Sequence, residues 1–226
     1  MKIIPFIFSI AYSLTLIVGV SGVIEGNDAY SFINVSSPVT FFVDWENTGS
    51  ASCNTRLRVD ISGPDGNYQV WSDNCLLHPG DHAPLFAYWF SDVPGNYTAN
   101  LSVFYCNDYF FVRSYNFTLQ PVSKHISVKV RSLSTESRIK LRLNTSNVYI
   151  IPKKYPLGWI IPSMYANGTN IVIPYEPQYW RETDIEFFAV SPEGYTTFNV
   201  HLSKNYNWFV VLVGVLLAIF LVLRMR

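Results

Sequence analysis

The chain has 226 residues, of which 16% are aromatic and 14% are charged. This composition argues against a mainly helical protein, because aromatic residues are enriched in strands and charged residues are depleted there. The formal net charge is zero, but the charge is divided unevenly along the chain. Residues 23–120 contain three Lys or Arg against ten Asp or Glu, a net charge of −7, whereas residues 121–206 contain ten against six, a net charge of +4.

The N-terminus has the pattern of a secretory signal peptide over residues 1–22. Lys2 precedes an apolar segment over 3–20, and small residues follow it up to Gly22. We expect cleavage near Gly22, which places the rest of the chain outside the cytoplasm. The apolar segment is longer than in most signal peptides, so an uncleaved signal anchor is the alternative.

A second apolar segment, residues 207–223, is predicted to cross the membrane as a single helix. It contains no charged residue, Tyr206 and Trp208 stand at its start, and the basic segment 224–226 follows its end. Aromatic residues mark the membrane interfaces, and basic residues mark the cytoplasmic side. We therefore expect a single-pass type I protein of the cell membrane, with an extracellular ectodomain and a very short cytoplasmic remainder.

Apolar and polar residues alternate in several short segments between residues 39 and 119, which is the pattern of half-buried strands. The predicted inward positions are Val39, Phe41, Val43, Trp45, Leu57, Val59, Ile61, Tyr97, Ala99, Leu101, Val103, Phe111, Tyr115, Phe117 and Leu119. Turn signals such as Pro64-Asp65-Gly66-Asn67 separate the segments. Strands at this spacing predict a β-sandwich over residues 23–120.

Residues 121–206 repeat the pattern and predict a second sandwich, with a boundary at Gln120-Pro121. Alternating segments occur at 126–130, 138–143, 171–173, 185–190 and 196–202. The stretch 151–162 contains three prolines and is expected to be an irregular loop or an edge strand. The predicted fold class is all-β: two tandem immunoglobulin-like β-sandwiches between the signal peptide and the transmembrane helix.

Residues 38–120 resemble the cell-adhesion-related (CARDB-like) immunoglobulin-like domains of bacterial and archaeal surface proteins. The likeness rests on three motifs, Val43-Asp44-Trp45-Glu46-Asn47-Thr48-Gly49, Leu77-His78-Pro79-Gly80-Asp81 and Gly95-Asn96-Tyr97-Thr98. Each motif ends a strand, makes a turn or begins a strand, and the cysteines are not part of the pattern. The resemblance implies a role in adhesion, display or scaffolding rather than in catalysis.

Three cysteines, Cys53, Cys75 and Cys106, fall in the first predicted sandwich, where the extracellular location permits oxidation. We prefer a Cys53–Cys75 disulfide, because these residues are nearly opposite in the hairpin that turns at 64–67. The alternative is Cys53–Cys106, because the ends of those two strands can be neighbours in a sandwich. The third cysteine is either buried and inert or available for a disulfide-linked homodimer.

Six asparagines fit the N-x-Ser/Thr acceptor pattern for N-glycosylation. They are Asn34, Asn96, Asn100, Asn116, Asn144 and Asn167. The alternation places three of them, Asn96, Asn100 and Asn116, on or beside the outward face of predicted strands. We therefore expect a glycoprotein.

Several aromatic residues are predicted to lie away from the core. Phe42, Phe104 and Phe110 fall on strand faces opposite the predicted core, and Tyr88 and Trp89 are neighbours on one strand. An apolar patch on an outward sheet face marks an interaction site. Packing between the two sandwiches is the alternative explanation.

The sequence contains no G-x-S-x-G, H-E-x-x-H or Gly-rich phosphate-binding motif. His78 and His82 flank a Pro-Gly turn, but further ligands at metal-binding spacing are lacking. We therefore expect no catalysis, no metal and no cofactor. Nucleic acid is not an expected partner, because the ectodomain is predicted to lie outside the cell.

Glu182, Asp184 and Glu186 alternate along one predicted strand and offer carboxylates for a hard cation or for hydrolysis. We favour a solvated strand face, paired across strands with the cations of residues 138–142. No residue in this segment is marked as a general acid.

We accordingly expect a surface glycoprotein that acts by binding, adhesion or structural display and recognises an unidentified protein or glycan ligand. One alternative is an accessory subunit of a membrane or cell-envelope complex, for which Gly214 and Ala218 offer a small-residue packing face. A second alternative is an extracellular hydrolase that uses the carboxylates of 182–186. The basic segment 121–206 is further expected to lie against anionic lipid headgroups.

Overall fold

The computed structural model describes residues 22–121, 129–135, 138–177 and 182–202. Their regular structure consists of antiparallel β-strands, numbered β1 to β15 in chain order, so the predicted all-β class is confirmed. Three predicted segments lie outside the described residues: the signal peptide apart from Gly22, the alternating residues 126–128, and the C-terminal helix with its basic flank.

No helix among the described residues is long and apolar enough to cross a membrane.

The first eight strands form two sheets, which we call the first unit. The strands are β1 (Gly26–Asn34), β2 (Val39–Asn47), β3 (Cys53–Gly63), β4 (Gly66–Trp71), β5 (Cys75–Leu77), β6 (His82–Trp89), β7 (Gly95–Tyr105) and β8 (Asp108–Leu119). One sheet has the order β1-β2-β6, and the other has the order β4-β3-β7-β8, with β5 also pairing with β3. The arrangement is that of a β-sandwich.

Alternating apolar residues form the core between these two sheets. Phe41 and Val43 of β2 and Leu57 and Val59 of β3 are fully buried, while their strand neighbours face outward. Each such side chain contributes roughly 1.5–3 kcal/mol when it leaves water. The predicted inward faces of β2, β3 and β7 are confirmed, because a strict period of two places every second residue in the core.

Strand β8 departs from the predicted alternation at one residue. Leu101 pairs with Arg113 and the next residue of β7 pairs with Phe111, so Val112 is an extra residue in β8. This bulge reverses which residues face inward. Phe111 is therefore 67% exposed and Phe110 packs against the core, so the predicted inward position of Phe111 is wrong.

The second unit comprises the remaining seven strands described. They are β9 (Val130–Thr135), β10 (Arg138–Leu143), β11 (Val148–Lys154), β12 (Met164–Ala166), β13 (Asn170–Pro174), β14 (Thr183–Ser191) and β15 (Gly194–Leu202). They form a sheet β13-β10-β9 and a sheet β12-β11-β14-β15, with a shared buried core between them. The predicted boundary at 120/121 falls between β8 and β9.

The first part of the stretch that was expected to be a loop or an edge strand, residues 151–154, is a strand paired on one side. Strand β11 lies between β12 and β14 only over residues 148–150, and residues 151–154 pair with β14 alone, although Ile151 is fully buried. Pro152 is accommodated because the pairing with β14 is irregular between Pro152 and Lys154. Proline has no backbone N–H to donate to a neighbouring strand, so it is tolerated where the pairing is irregular.

Phe90 anchors the first unit on the second. Its side chain is buried, and its ring centroid lies 5.0 Å from that of Phe188 and 4.8 Å from that of Tyr195. Ile151 and Val190 complete this small apolar cluster, which is separate from the cores of the two units. The two units therefore pack directly on each other.

Polar contacts extend the same interface. The Ser163 amide donates to the Trp71 carbonyl oxygen over 2.9 Å, and the Ser163 hydroxyl oxygen accepts from the Tyr88 amide over 2.7 Å. These bonds satisfy backbone groups of the first unit that lie at sheet edges. The Arg56 guanidinium and the Glu176 carboxylate form a further contact, with N–O distances of 2.8 and 3.1 Å.

Candidate binding face

Three phenylalanines lie side by side on the outer face of the sheet β1-β2-β6. Phe32, Phe42 and Phe86 occupy directly opposed positions on the three strands. The ring centroids are 4.8 Å apart for Phe32 and Phe42, and 4.9 Å apart for Phe42 and Phe86. This row exists because each residue alternates with a core residue of its own strand, and the register aligns all three.

Further rings continue this row at both ends and cross to the second unit. Tyr30 contacts Phe32 and Phe42, while Tyr88 contacts Phe86. The Tyr88 ring then meets Tyr149 at 4.9 Å, and Tyr149 meets Tyr165 at 4.8 Å. We call this set the aromatic face: Tyr30, Phe32, Phe42, Phe86, Tyr88, Tyr149 and Tyr165.

Much of the aromatic face is open to solvent. Tyr30 is 62% exposed, Phe86 39% and Tyr165 42%, and the other members are half-buried. Contiguous exposed apolar surface of this kind is uncommon on soluble proteins and marks interaction sites. The row therefore has the physical character of a docking surface.

The ionisable groups beside the rings are mainly acidic. Asp44 and Glu46 follow Phe42 on the outer side of β2, and β1, β2 and β6 contain no Lys or Arg. The Nδ1 atom of His82 lies 3.2 Å from Asp44 Oδ1. The sheet thus offers carboxylates beside the apolar row, which suits a partner that carries positive charge.

Burial raises the pKa of Tyr88, and the neighbouring phenols of Tyr149 and Tyr165 raise it further. The pKa of Tyr149 is raised for the same reasons, with burial first. Both phenols therefore stay neutral and can donate a hydrogen bond at neutral pH.

The residues predicted as an interaction surface fall in different places. Phe42 lies on the outer face as predicted and belongs to the aromatic face. Phe104 also lies on an outer face, but on the other sheet, half-buried beside Tyr109 and the Arg56 guanidinium. Tyr88 lies at the junction of the units, so it takes part both in the exposed row and in packing between the units.

Two of the predicted surface residues are instead part of the first core. Trp89 is 1% exposed and its ring lies 4.8 Å from Tyr97, because Trp89 shares the inward face of β6 with Leu85. Phe110 packs on Trp45 at 5.7 Å, because the bulge at Val112 turns it inward. The prediction that these two side chains are exposed is wrong.

Most members of the aromatic face were not predicted. Phe86 alternates with Leu85 and Ala87, so its outward position follows from the strand pattern. Phe32 lies on β1, whose apolar pattern is weak because Asp28, Ser31 and Asn34 interrupt it. The alignment across strands depends on register, which a single sequence does not reveal.

The structure contains a disulfide between Cys53 and Cys106, which was the alternative pairing, so the preferred Cys53–Cys75 pairing is wrong. Cys53 lies opposite Leu77 and Cys75 lies opposite Thr55, because the hairpin breaks at 72–74. Cys106 stands in the turn from β7 to β8, where Cys106 and Asn107 both have positive φ, as a two-residue hairpin turn requires. Cys75 is a free, half-buried thiol.

All six sequon asparagines are exposed. Asn34 ends β1, at the border of the aromatic face, and Asn144 and Asn167 lie in turns of the second unit. The remaining three, Asn96, Asn100 and Asn116, lie on the outer face of β7 and β8.

The sequons of Asn96 and Asn116 form hydrogen bonds with each other across the pair of strands β7 and β8. The Thr98 hydroxyl donates to Asn116 Oδ1 over 2.8 Å, and the Thr118 hydroxyl donates to Asn96 Oδ1 over 2.7 Å. Each bond engages the amide oxygen. The amide nitrogen, which would carry a glycan, is therefore left to point elsewhere.

The carboxylates of Glu182, which precedes β14, and of Asp184 and Glu186 in β14 take part in ion pairs. Glu182 and Asp184 lie 3.0 and 2.8 Å from the two ring nitrogens of His201, and Glu186 pairs with Lys153 at 3.1 Å. The pKa of His201 is raised, first by its hydrogen bond to Asp184 and then by that to Glu182. The partners of these carboxylates thus come from β15 and β11 and not from residues 138–142.

His78 and His82 lie in separate contacts, with Ser52 and Asp44 respectively. Within the described residues, no group of three or more His, Cys, Asp or Glu is arranged to hold a metal ion.

No protein-family model matches this chain, and no curated protein matches it in sequence. The resemblance of residues 38–120 to CARDB-like domains therefore stays a prediction.

Proposed function

We propose that this chain is a single-pass type I surface glycoprotein that docks another protein on its aromatic face and performs no catalysis. The observation that carries the proposal is the unbroken contact of seven rings over the outer side of both units. Exposed aromatic surface is unfavourable in water. Covering it with a partner recovers that free energy.

The ring geometry favours a protein partner over a flat ligand. Phe32 and Phe42 stack at an interplanar angle of 28° with centroids 4.8 Å apart, so these two rings cover parts of each other's faces, whereas Phe86 and Tyr88 are nearly parallel with centroids 6.5 Å apart. A surface of ring edges and partly covered faces suits the aliphatic and aromatic side chains of a second protein surface.

An immunoglobulin-like identity of the first unit is part of this proposal. The strand order β1-β2-β6 against β4-β3-β7-β8 resembles that of the seven-strand immunoglobulin sandwich. The difference is that the fourth strand pairs in the second sheet and not in the first. Tyr97 near the start of β7 places its hydroxyl 2.9 Å from the Val93 carbonyl oxygen, as in a tyrosine corner. The Cys53–Cys106 bond departs from the usual disulfide between the two sheets, because it joins β3 to the turn after β7 within one sheet.

The proposed location rests on the sequence. The segment 207–223 has the length and flanks of a membrane span, and the six exposed sequons suit an extracellular side. Glycans on Asn96, Asn100 and Asn116 would cover the outer face of β7 and β8 and leave the opposite sheet open, while a glycan on Asn34 would stand at the border of the aromatic face.

A pair of matched substitutions tests the proposal. Phe86→Ser and Phe111→Ser each remove one exposed phenylalanine, from the aromatic face and from the other sheet respectively. Full-length protein is solubilised in mild detergent from its own membrane, and the mass and composition of its complex are measured. We expect Phe86→Ser to lose a partner that Phe111→Ser retains, and equal retention by both variants would contradict the proposal.

The same measurement distinguishes docking on the aromatic face from the alternative of an accessory subunit held through its membrane helix. If the partner is held through the membrane helix, Phe86→Ser retains it, whereas Gly214→Leu in the small-residue face of that helix loses it.

A further inference from the structure

The second unit carries a row of cations on the outer face of the sheet β13-β10-β9. Strand β10 alternates strictly, with Ile139, Leu141 and Leu143 buried and the intervening residues exposed. We call the exposed cations of this sheet the basic face: Arg131, Arg138, Lys140 and Arg142. At the exposed positions of β10 and β13 that the structure describes, there is no carboxylate.

Two of these cations stand directly opposite each other. Arg131 of β9 and Arg142 of β10 are cross-strand partners on the same outer face. Like charges in this position destabilise a sheet. Carboxylates of a docked partner would offset that repulsion, so the basic face has the chemistry of a site for an anionic surface.

We propose that the aromatic face of one copy docks on the basic face of a second copy of this chain. The inference rests on the proposed function, because it takes the aromatic face as the docking surface. Asp44 and Glu46 supply negative charge there, and the three strands of that sheet contain no Lys or Arg. Charge complementarity between the two faces therefore selects the partner.

The spacing of the charges also matches. Asp44 and Glu46 are two residues apart on the outer side of β2, and Lys140 and Arg142 are two residues apart on the outer side of β10. Residues at this separation lie about 6.8 Å apart along any strand. Two carboxylate–cation pairs can thus form together when β2 of one copy lies along β10 of the other.

Apolar contact accompanies the ion pairs. Phe42 precedes Asp44 on the same side of β2, and Val172, which is 42% exposed, lies opposite Lys140 on β13. Two sheets can pack face to face at a separation of about 10 Å.

The phenylalanines and carboxylates of the docking surface lie on the first unit, whereas the basic face lies on a different surface, in the second unit. The contact is therefore head-to-tail, and each copy can engage two neighbours. Pairing of two aromatic faces is disfavoured, because it would bring the carboxylates of both copies together.

A charge-exchange experiment tests the inference. Full-length protein is inserted one copy per nanodisc in uncharged phosphatidylcholine, and association of donor-labelled and acceptor-labelled discs is followed by energy transfer. We expect wild-type discs to associate and to do so less as the salt concentration rises. Asp44→Lys/Glu46→Lys and Lys140→Glu/Arg142→Glu should each lower the self-association constant at least about tenfold.

A mixture of these two variants supplies the decisive control. In the mixture, each face of one variant is opposite in charge to the docking face of the other variant. The wild-type association constant should therefore return. Misfolded protein could not restore it. Failure of wild-type discs to associate, unchanged association of either variant, or no recovery in the mixture would overturn the inference.

Two further outcomes separate this inference from competing explanations. Wild-type discs that bind protein-free vesicles of anionic lipid, with loss of binding in Lys140→Glu/Arg142→Glu, would assign the basic face to the bilayer and overturn it. If Phe86→Ser removes the native partner while both charge variants keep it, the inference fails and the proposed function stands. If Phe86→Ser also keeps the partner, the proposed function itself fails.

Discussion

The guanidinium of Arg56 and the carboxylate of Glu176 form a two-pronged ion pair between the first and second units, with N–O distances of 2.8 and 3.1 Å. The Arg56 side chain is only 8% exposed, whereas that of Glu176 is 57% exposed. The arginine is therefore held largely out of water by the second unit, and its charge depends on one carboxylate for compensation.

Removal of that carboxylate should destabilise the packing of the units. We expect Glu176→Gln to lower the free energy of unfolding by about 1–2 kcal/mol, because a mostly buried guanidinium loses its charged partner. Denaturant titration of the full-length protein in detergent measures the change. Glu186→Gln is the matched control, since its partner Lys153 is 34% exposed, unlike the mostly buried Arg56, and the pair should contribute less than about 1 kcal/mol. Equal effects of the two substitutions would contradict a special contribution of the Arg56–Glu176 ion pair to the packing of the units.

Phe90 should be the main apolar link between the units. Phe90→Ala removes a ring that lies between Phe188 and Tyr195, and we expect a loss of about 3–5 kcal/mol. The two units should then unfold in separate transitions, which differential scanning calorimetry resolves. Phe117→Ala, in the core of the first unit, should lower stability without separating the transitions. A single transition in the Phe90 variant would show that other contacts couple the units.

The Cys53–Cys106 bond closes a long loop. Its sequence separation of 53 residues corresponds to roughly 4 kcal/mol of stabilisation in the chain-entropy model. We expect Cys53→Ala/Cys106→Ala to lower the unfolding free energy by about that amount, while Cys75→Ala has a much smaller effect. Peptide mapping without reduction should find Cys75 as the alkylated residue. A Cys53–Cys75 peptide would contradict the structure.

Asp65 should make the first unit sensitive to acid. Burial alone would raise its pKa, but hydrogen bonds from Ser91, Tyr68 and Tyr97 outweigh burial and lower it. A carboxyl group with a depressed folded pKa stabilises the protein above its unfolded pKa of about 3.9, and this contribution is lost as the pH falls through the folded pKa.

Asp65→Asn should therefore lower stability at pH 7, and its difference from wild type should shrink as the pH falls below about 4. Unfolding titrations at several pH values measure this difference, with the exposed Asp108→Asn as the control. A difference that stays constant with pH would argue against a role for the Asp65 charge.

The strand alternation predicts most of the first core. In β2, Phe41 and Val43 point inward and Phe42 outward, because a half-buried strand must present one face to the core. The same rule fails in β8, where the single extra residue Val112 exchanges the faces of Phe110 and Phe111. A bulge leaves no distinct signal in a sequence whose residues at that point are all apolar or aromatic.

The aromatic face shows a second limit of sequence-based prediction. The outward position of Phe42 follows from its own strand, but the alignment of Phe32, Phe42 and Phe86 depends on the register of three strands. The cysteine pairing depends on register in the same way, because the break before Cys75 shifts β5 against β3. Contacts set by long-range pairing are not encoded in local periodicity.

The most direct measurement is photo-crosslinking of the full-length protein on intact cells, with a photoreactive phenylalanine analogue at position 86 or at position 111. Both natural residues are exposed phenylalanines, but they lie on opposite sheets of the first unit. We expect a defined crosslinked protein adduct from position 86 and none from position 111. An adduct from position 111 with none from position 86 would contradict docking on the aromatic face.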